Sequence, residues 1–592
     1  MAVESLAPVQ QLQRAWSQFQ KKNFQQALQL VAPLIQGGLK HPVIFYIRAV
    51  SLRHLGRFEA AEVAFNALLT TYPTAEHWRA YAGLKGDLGD YEAAVHWIKK
   101  AVEKAPEQFD NHYNLGRYQQ KSGAFPEARD AYQNALKLKP THAGVRLGLA
   151  QVLLGMGALQ PAEHCLEQGL KQHPGQLALR HQWALLKLRR GEHVAAQQAL
   201  DACLSLQPDN RNLLLSRARL WISQGRFAQA NELYLKLINS DPLDIHAQDG
   251  YLDLGWMQGE AESAFALYRR TVAANPAHPI ALSFAKHLIR SGQLDEANAV
   301  LIAYQQAGGL SPSAIAMRVH ALRESGAIDA ALTLALTQDS ADEGVLWERA
   351  ITLMCKENGE GALAIARELS EARPRSQKIR ALLLACLKVT GRMGEYRILC
   401  DYDRAVRVID IYDEQELKKI AGELEVLPRP KNAPLEQSLR EGSQTQGELF
   451  DTENRVIAAV KRKIEASISD YLATNSAGRN QPVIGDKCHE HYFTGSWSVA
   501  LTGGGHHVSH YHSSGTISGC LYIQVPRCTG RQGQGWLKFG EPALSRWLDF
   551  EPDYLVKPKP GQLVIFPSYL WHGTLPISGD EKRVTIAFDA RV

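Results

Sequence analysis

The chain has 592 residues, too many for one compact core, and its 45% hydrophobic and 21% charged content excludes wholesale disorder, collagen and a small disulfide scaffold. Net charge is +5, from 66 Lys+Arg against 61 Asp+Glu with no block of like charge, which argues against nucleic acid or an anionic membrane as partner. No run approaches the roughly 18 apolar residues of a membrane helix, and the start, MAVESLAPVQQLQRAWSQFQ, lacks the basic and apolar regions of a secretory signal, so a cytoplasmic protein is expected.

An internal period organises the first two thirds of the chain. Prolines fall at Pro73, Pro106, Pro140, Pro174, Pro208, Pro242 and Pro276, a step of 33 residues once and then of 34. Glycines keep the same step at Gly56, Gly89, Gly123, Gly157, Gly191, Gly225, Gly259, Gly292, Gly326 and Gly359, and an alanine, from Ala61 to Ala364, stands five residues after each. One unit, residues 109–142, reads as a helical hairpin: a helix around Tyr113 to Gln120, a turn at Gly123, and a helix from Pro126 to Leu138 ended by Pro140. Gly116, Ala128 and Ala135 are small where the two helices must approach. No such pair buries its apolar face alone, so the units must stack.

The stretch DNHYNLGRYQQKSGAFPEARDAYQNALKLKP resembles the tetratricopeptide repeat at Gly116, Gly123, Ala128, Tyr132, Ala135 and Pro140. The resemblance covers roughly residues 10–400, about eleven or twelve units. It implies an all-α superhelix, a solenoid over residues 1–400, whose concave surface binds a protein or peptide.

After Gly391 the step fails. DEQELKKIAGELEVL and ENRVIAAVKRKIEASISDYLA read as helices joined by the polar link PRPKNAPLEQSLREGSQTQGELF. From about Trp497 the runs SWSVAL, HHVSHYH, ISGCLYIQVP, WLKFG, GQLVIFP and KRVTIAFDA read as short strands, which argues for a sandwich or barrel with the helices packed outside it. Eight cysteines are scattered without a CxxC pair or zinc spacing and read as reduced, buried hydrophobes. Trp497, Trp536 and Trp571 read as barrel core.

Histidine carries the chemistry of this last third: His489, His491, His506, His507, His510, His512 and His572. No Asp, Glu, Lys or Arg stands between His491 and Pro526, so GGGHHVSHYHSSG gathers neutral imidazoles, and metal binding is the usual reason. On a strand His510 and His512 face one way and His507, Ser509 and Tyr511 the other, so the first pair can clamp one ion. His572, after GQLVIFPSYLW, is the candidate third ligand of a facial iron site. His506 and His507 read as surface or outer-shell residues, and His489 and His491 as structural. Arg583, alone among apolar strand residues, needs an anion, and a carboxylate suits its fork; Thr585 follows on the same face. The alternatives are a barrel that binds nothing and a zinc or nickel site in a non-redox role.

QSLREGSQTQGELF, SWSVALTGGGHHVSHYHSSGTISGCLYIQVP, GWLKFGEP and GQLVIFPSYLWHGTLPISGDEKRVTIAFDA are similar to the Fe(II)- and 2-oxoglutarate-dependent oxygenases with a double-stranded β-helix fold, and to a group of them fused to tetratricopeptide repeats. The resemblance covers residues 401–592 and implies a jelly-roll, cupin-like core from about residue 485 with flanking helices. It implies Fe(II), 2-oxoglutarate and O₂ as cofactor and cosubstrates. By resemblance His510 is the first iron ligand, His572 the distal one, Arg583 the grip on the far carboxylate of 2-oxoglutarate, and Tyr522 a hydroxyl on the same cosubstrate. The second ligand departs from the family: His512 stands where an Asp or Glu is usual, so His512 is either a third imidazole ligand or none, and Glu490 is the nearest acidic residue upstream.

The fold expected is therefore multidomain α + β, and the activity that of a dioxygenase hydroxylating a peptide or protein presented by the repeats. A catalytically silent scaffold, or a small-molecule oxygenase whose repeats only recruit partners, stands as the alternative. Arg440 is placed either in the site, holding an acidic substrate group, or in an exposed linker.

Overall fold

Left-handed turns at a fixed step set the architecture of the first 400 residues. In the computed structural model, which describes residues 8–592 apart from 310, 338–340, 428–437, 446–447, 453, 476–489, 532 and 545, twenty-four consecutive helices run from Pro8–Gln20 to Met393–Cys400. Each pair is closed by one residue at positive φ, and Gly56, Gly89, Gly123, Gly157, Gly191, Gly225, Gly259, Gly292, Gly326 and Gly391 all hold that conformation. The alanines five residues beyond the first nine, Ala61 to Ala331, are at most 2% exposed. Close approach is the reason: a Cβ on Gly116 would come within 2.7 Å of the Tyr132 ring.

Gly359 breaks this pattern and corrects the expectation. It is the first residue of the helix Gly359–Ala372, and the left-handed position of that turn belongs to Glu357, at φ 59°. The small packing residue is accordingly Ala362, fully buried, while Ala364 is exposed.

Contacts divide the chain into two compact units, residues 1–186 and 187–592. In the first, successive helix pairs bury cores around Val31, Phe65, Ile98 and Leu149. The second unit holds the remaining repeats and a β-rich region.

The strands of that region are β1 (Arg407–Asp410), β2 (Leu439–Gln444), β3 (Tyr492–His507), β4 (Ile517–Gln524), β5 (Leu537–Phe539), β6 (Tyr554–Val556), β7 (Gln562–Pro567), β8 (His572–Thr574) and β9 (Arg583–Arg591). They form an antiparallel six-stranded sheet in the order β1-β7-β4-β9-β3-β2 and a three-stranded sheet in the order β6-β5-β8. β1 and β2 come from segments read as helical or linking, so the β core expected from about residue 485 begins much earlier in the chain. β2 pairs along β3, with Leu439 opposite His507 and Gln444 opposite Val499. Six residues without regular hydrophobic alternation gave no strand signal; the edge of β3 supplies their order.

Alternation splits the central strands into two faces. Ile517, Leu521, Ile523, Val584, Ile586, Phe588 and Ala590 pack under the helices Glu414–Glu425 and Arg455–Asn475, through Leu417, Ile420, Val460, Ile464 and Ile468. The helices thus cover the sheet from outside. The opposite face carries Ser518, Cys520, Arg583, Thr585 and Asp589 toward a cavity.

The repeats nearest this region share its core. Leu346, Met354, Leu363, Leu382 and Leu387 of the helices between residues 343 and 389 belong to one apolar cluster with Tyr522, Phe539, Phe566, Leu570 and Trp571. Polar ties cross the same contact. Trp571 Nε1 donates to the Ala381 carbonyl at 2.8 Å, Tyr569 Oη to that of Leu399 at 2.7 Å, and Lys388 Nζ meets Asp553 at 2.9 Å.

Candidate metal centre

The three candidate histidines meet through backbone pairing. His510 and His572 form an isolated antiparallel bridge, His510 N–H donating to the His572 carbonyl at 2.8 Å and His572 N–H returning the bond at 2.9 Å. His512 N–H donates to the Ser568 carbonyl at 2.9 Å, which fixes the segment two residues further on. One ligand nitrogen from each of His510, His512 and His572 then lies within 4.8 Å of the others.

Each ring has its Nδ1 engaged. His510 Nδ1 meets the Val508 carbonyl and His572 Nδ1 the Leu570 carbonyl, both at 2.8 Å; His512 Nδ1 meets Asp589 Oδ2 at 2.6 Å. Carbonyls and carboxylates only accept, so each Nδ1 carries the proton and each Nε2 keeps its lone pair for a cation. Burial, reinforced by the neighbouring imidazoles, lowers His510 to about 3 and holds His572 well below the usual histidine range. Both are neutral, as ligands must be. For His512 burial also works against the charged form, but Asp589 outweighs it and the net displacement is upward.

Asp589 is the residue that sequence reasoning missed. It is 4% exposed on β9, and its second oxygen accepts from Ser518 Oγ at 2.6 Å. Ser518 is in turn 2.9 Å from Ser568 Oγ, so a buried chain of polar groups stands behind His512. The signal was present in the period of β9. Arg583, Thr585 and Asp589 lie an even number of residues apart, on the same face, and an acidic side chain in an apolar strand requires a partner. Glu490, by contrast, is exposed just before β3.

A cavity of about 850 Å³ is lined by the three histidines and also by Arg583 and Thr585. Arg583 is 3% exposed and meets Tyr522 Oη at 3.4 Å, while its Nε and Nη1 have no hydrogen-bond partner among the described residues. A buried guanidinium with two unmet donors is a site for an anion. Tyr522 lies under the guanidinium, with Arg583 Cζ 5.1 Å from its ring centroid, and is fully buried. Its hydroxyl faces Arg583.

Other expectations shift. β3 ends at His507, so strand parity does not extend to His510. His507 therefore lines the same cavity, its ring centroid 6.0 Å from that of His510 and its Nδ1 2.9 Å from Ser438 Oγ. His506 Nδ1 meets the Gly504 carbonyl at 3.0 Å at the surface, and His491 lies just before β3; His489 falls outside the described residues. Arg440 lines the cavity. Trp497 packs against the buried cluster of Leu439, Val499, Leu501 and Ile577 and also lines the cavity, its ring nearly parallel to His512 with centroids 6.0 Å apart. Ile289, Arg290 and His320, from repeat helices, also line the cavity, and nothing in the sequence pointed to them.

Three imidazoles with unprotonated Nε2 atoms, that of His510 lying 3.5 Å from Ser438 Oγ, suit a first-row divalent metal, and the half-satisfied Arg583 beside them suits a carboxylate. The donor set thus fits iron with an acidic cosubstrate. Residues 495–589 match the family described as "Putative 2OG-Fe(II) oxygenase", and tetratricopeptide repeat families match residues 12–76 and 82–143, and 119–185 and 187–251. The chain joins tetratricopeptide repeats to a C-terminal domain of that oxygenase family.

Among curated relatives, it is similar to Protein O-mannosyl-transferase TMTC1 of Homo sapiens, 27% identical over 196 residues, which is 32% of this chain and 22% of the relative. It is also similar to TPR repeat-containing protein PA4667 of Pseudomonas aeruginosa, 26% identical over 164 residues, 27% of this chain and 28% of the relative. The chain thus spans well under two thirds of either. A solved tetratricopeptide repeat protein from Parabacteroides merdae aligns with 42% of this chain and 98% of its own length, at 20% identity and a TM-score of 0.32.

Proposed function

We propose that the chain is an Fe(II)- and 2-oxoglutarate-dependent dioxygenase that hydroxylates a peptide or protein, with residues 1–400 as the repeat array and 401–592 as the oxygenase domain. The observation that carries this reading is the pairing of three Nε2-directed histidines with a buried, half-satisfied Arg583 in one cavity. His510, His512 and His572 would hold the iron. Bound Fe(II), with 2-oxoglutarate and O₂, supplies oxidation of the substrate coupled to loss of CO₂ and formation of succinate.

The rest falls to the chain's own residues. Arg583 offers two N–H groups to the far carboxylate of 2-oxoglutarate, Thr585 adds a hydroxyl on the same strand face, and Tyr522 steadies the guanidinium from behind. Asp589 replaces, one shell out, the charge of the missing carboxylate ligand and keeps His512 in its Nδ1–H tautomer. Trp497, Val499 and Phe566 supply apolar walls that exclude water. A cytoplasmic setting and a protein partner on the repeats belong to the same reading; no described helix is long and apolar enough to cross a membrane.

The test is anaerobic binding of Fe(II) and 2-oxoglutarate, followed by the visible charge-transfer band of the chelate. Wild type is expected to give the band and His510→Ala to lose it. A band of equal strength in both proteins contradicts the ligand assignment.

A further inference from the structure

The metal cavity continues into a groove on the repeats. Ile289, Arg290 and His320 line both, and the groove, of about 410 Å³, is built from the first helices of four consecutive repeats: Ile280–Arg290, Pro312–Glu324, Glu343–Cys355 and Gln377–Val389. Its charged lining is Lys286, Arg290, Lys378 and Glu348. Glu348 is spent internally: Arg323 Nη1 donates to it at 2.5 Å, and His320 Nδ1 lies 3.5 Å from its other oxygen. Lys378 Nζ sits 4.8 Å from the centroid of the Trp347 ring and 3.9 Å from Glu343, which also meets Arg373 at 3.2 Å. Arg290 and Lys286 share the field of Asp249 and Asp253, yet burial and, for Lys286, the neighbouring Arg290 leave both below their ordinary range. An added anion would relieve that repulsion.

We propose that this groove is the substrate entrance and that it binds an acidic stretch of polypeptide, delivering a residue of it past Arg290 and His320 to the metal cavity. The proposal rests on the oxygenase reading and names its substrate class. Polypeptide is favoured over nucleic acid because Trp347 is the one Phe, Tyr or Trp among the described lining residues, too few to stack successive bases, and the chain's net charge of +5 is too small for a phosphate backbone. A peptide strand needs only the local cations.

The experiment uses the full chain and two fluorescein-labelled probes, a short peptide of alternating aspartate and alanine and its asparagine counterpart, followed by anisotropy. The aspartate peptide is expected to bind more tightly, to weaken as salt rises, and to lose about ten-fold in affinity in Lys378→Glu and in Lys286→Glu separately. Equal binding of the two peptides, wild-type affinity in both variants, or equal competition by single-stranded oligothymidylate overturns the proposal. Should one variant fail to fold, the other and the wild-type peptide pair still decide. Co(II) binding by the wild-type chain separates the two readings. Metal bound without preference for the aspartate peptide sinks the groove alone, whereas the preference without metal binding sinks the oxygenase assignment.

Discussion

Replacing Asp589 by Asn changes one charge and almost no volume, and it isolates what the carboxylate does for the metal centre. The carboxylate is 4% exposed, 2.6 Å from His512 Nδ1 and 2.6 Å from Ser518 Oγ, so solvent neither screens nor replaces it. Asparagine still accepts a hydrogen bond, but a neutral acceptor gives roughly half the strength of a charged one. Partners of this kind behind a ligating histidine typically govern 10–100-fold in metal affinity, which is about 1.4–2.8 kcal/mol. Asp589→Asn should therefore weaken Co(II) binding by a factor in that range while the metal-free protein melts close to wild type. Asp589→Ala should lower both, since His512 Nδ1–H and Ser518 lose their acceptor at a cost of about 1–3 kcal/mol each. Competition against a chelator, read on the visible Co(II) bands, gives the affinities. Wild-type affinity in the Asn variant would refute the reasoning, because His512 would then need no charged partner to serve as a ligand.

Arg583→Gln removes the two unmatched donors, and 2-oxoglutarate affinity of the Fe(II) protein should fall by about 30-fold or more in a calorimetric titration; an unchanged affinity places the cosubstrate elsewhere. Glu348 predicts an acid transition. Burial alone would raise its carboxyl, but Arg323 and His320 outweigh that and hold it at about 2 against the ordinary 4.5. Its contribution is therefore complete above 4.5 and lost as pH falls toward 2. Melting temperature should decline across that window, with a smaller decline in Glu348→Gln; superimposable profiles argue against the Arg323 pairing. Gly519→Ala should cost about 1–3 kcal/mol in denaturant unfolding, because its Cβ would stand 2.6 Å from the Val564 carbonyl in mid-sheet. A chain begun at residue 401 should be insoluble or molten by near-ultraviolet circular dichroism, having lost the repeat half of the core around Leu382 and Trp571; a compact, soluble fragment contradicts that shared core.

The repeats were legible because each turn restates one requirement: a left-handed residue, then an alanine where helices touch. Gly359 misled because Glu357 takes the left-handed place, and a glycine two residues off keeps the apparent period. The histidines were legible from local composition, as 510 and 512 crowd a charge-free segment, and Asp589 from its parity with Arg583 along β9, whereas the repeat-borne Arg290 and His320 reach the cavity only through tertiary packing. β2 was not legible because its order comes from pairing with β3 rather than from its own residues.

The most direct test of the account is consumption of 2-oxoglutarate by the purified full chain with Fe(II) and O₂, measured as succinate formed without added substrate. Wild type should form succinate only when both iron and oxygen are present, and His572→Ala and Arg583→Ala should each fall to the background of iron alone. Equal succinate from all three proteins, or none from any of them under oxygen, contradicts the assignment of this cavity as an oxygenase centre.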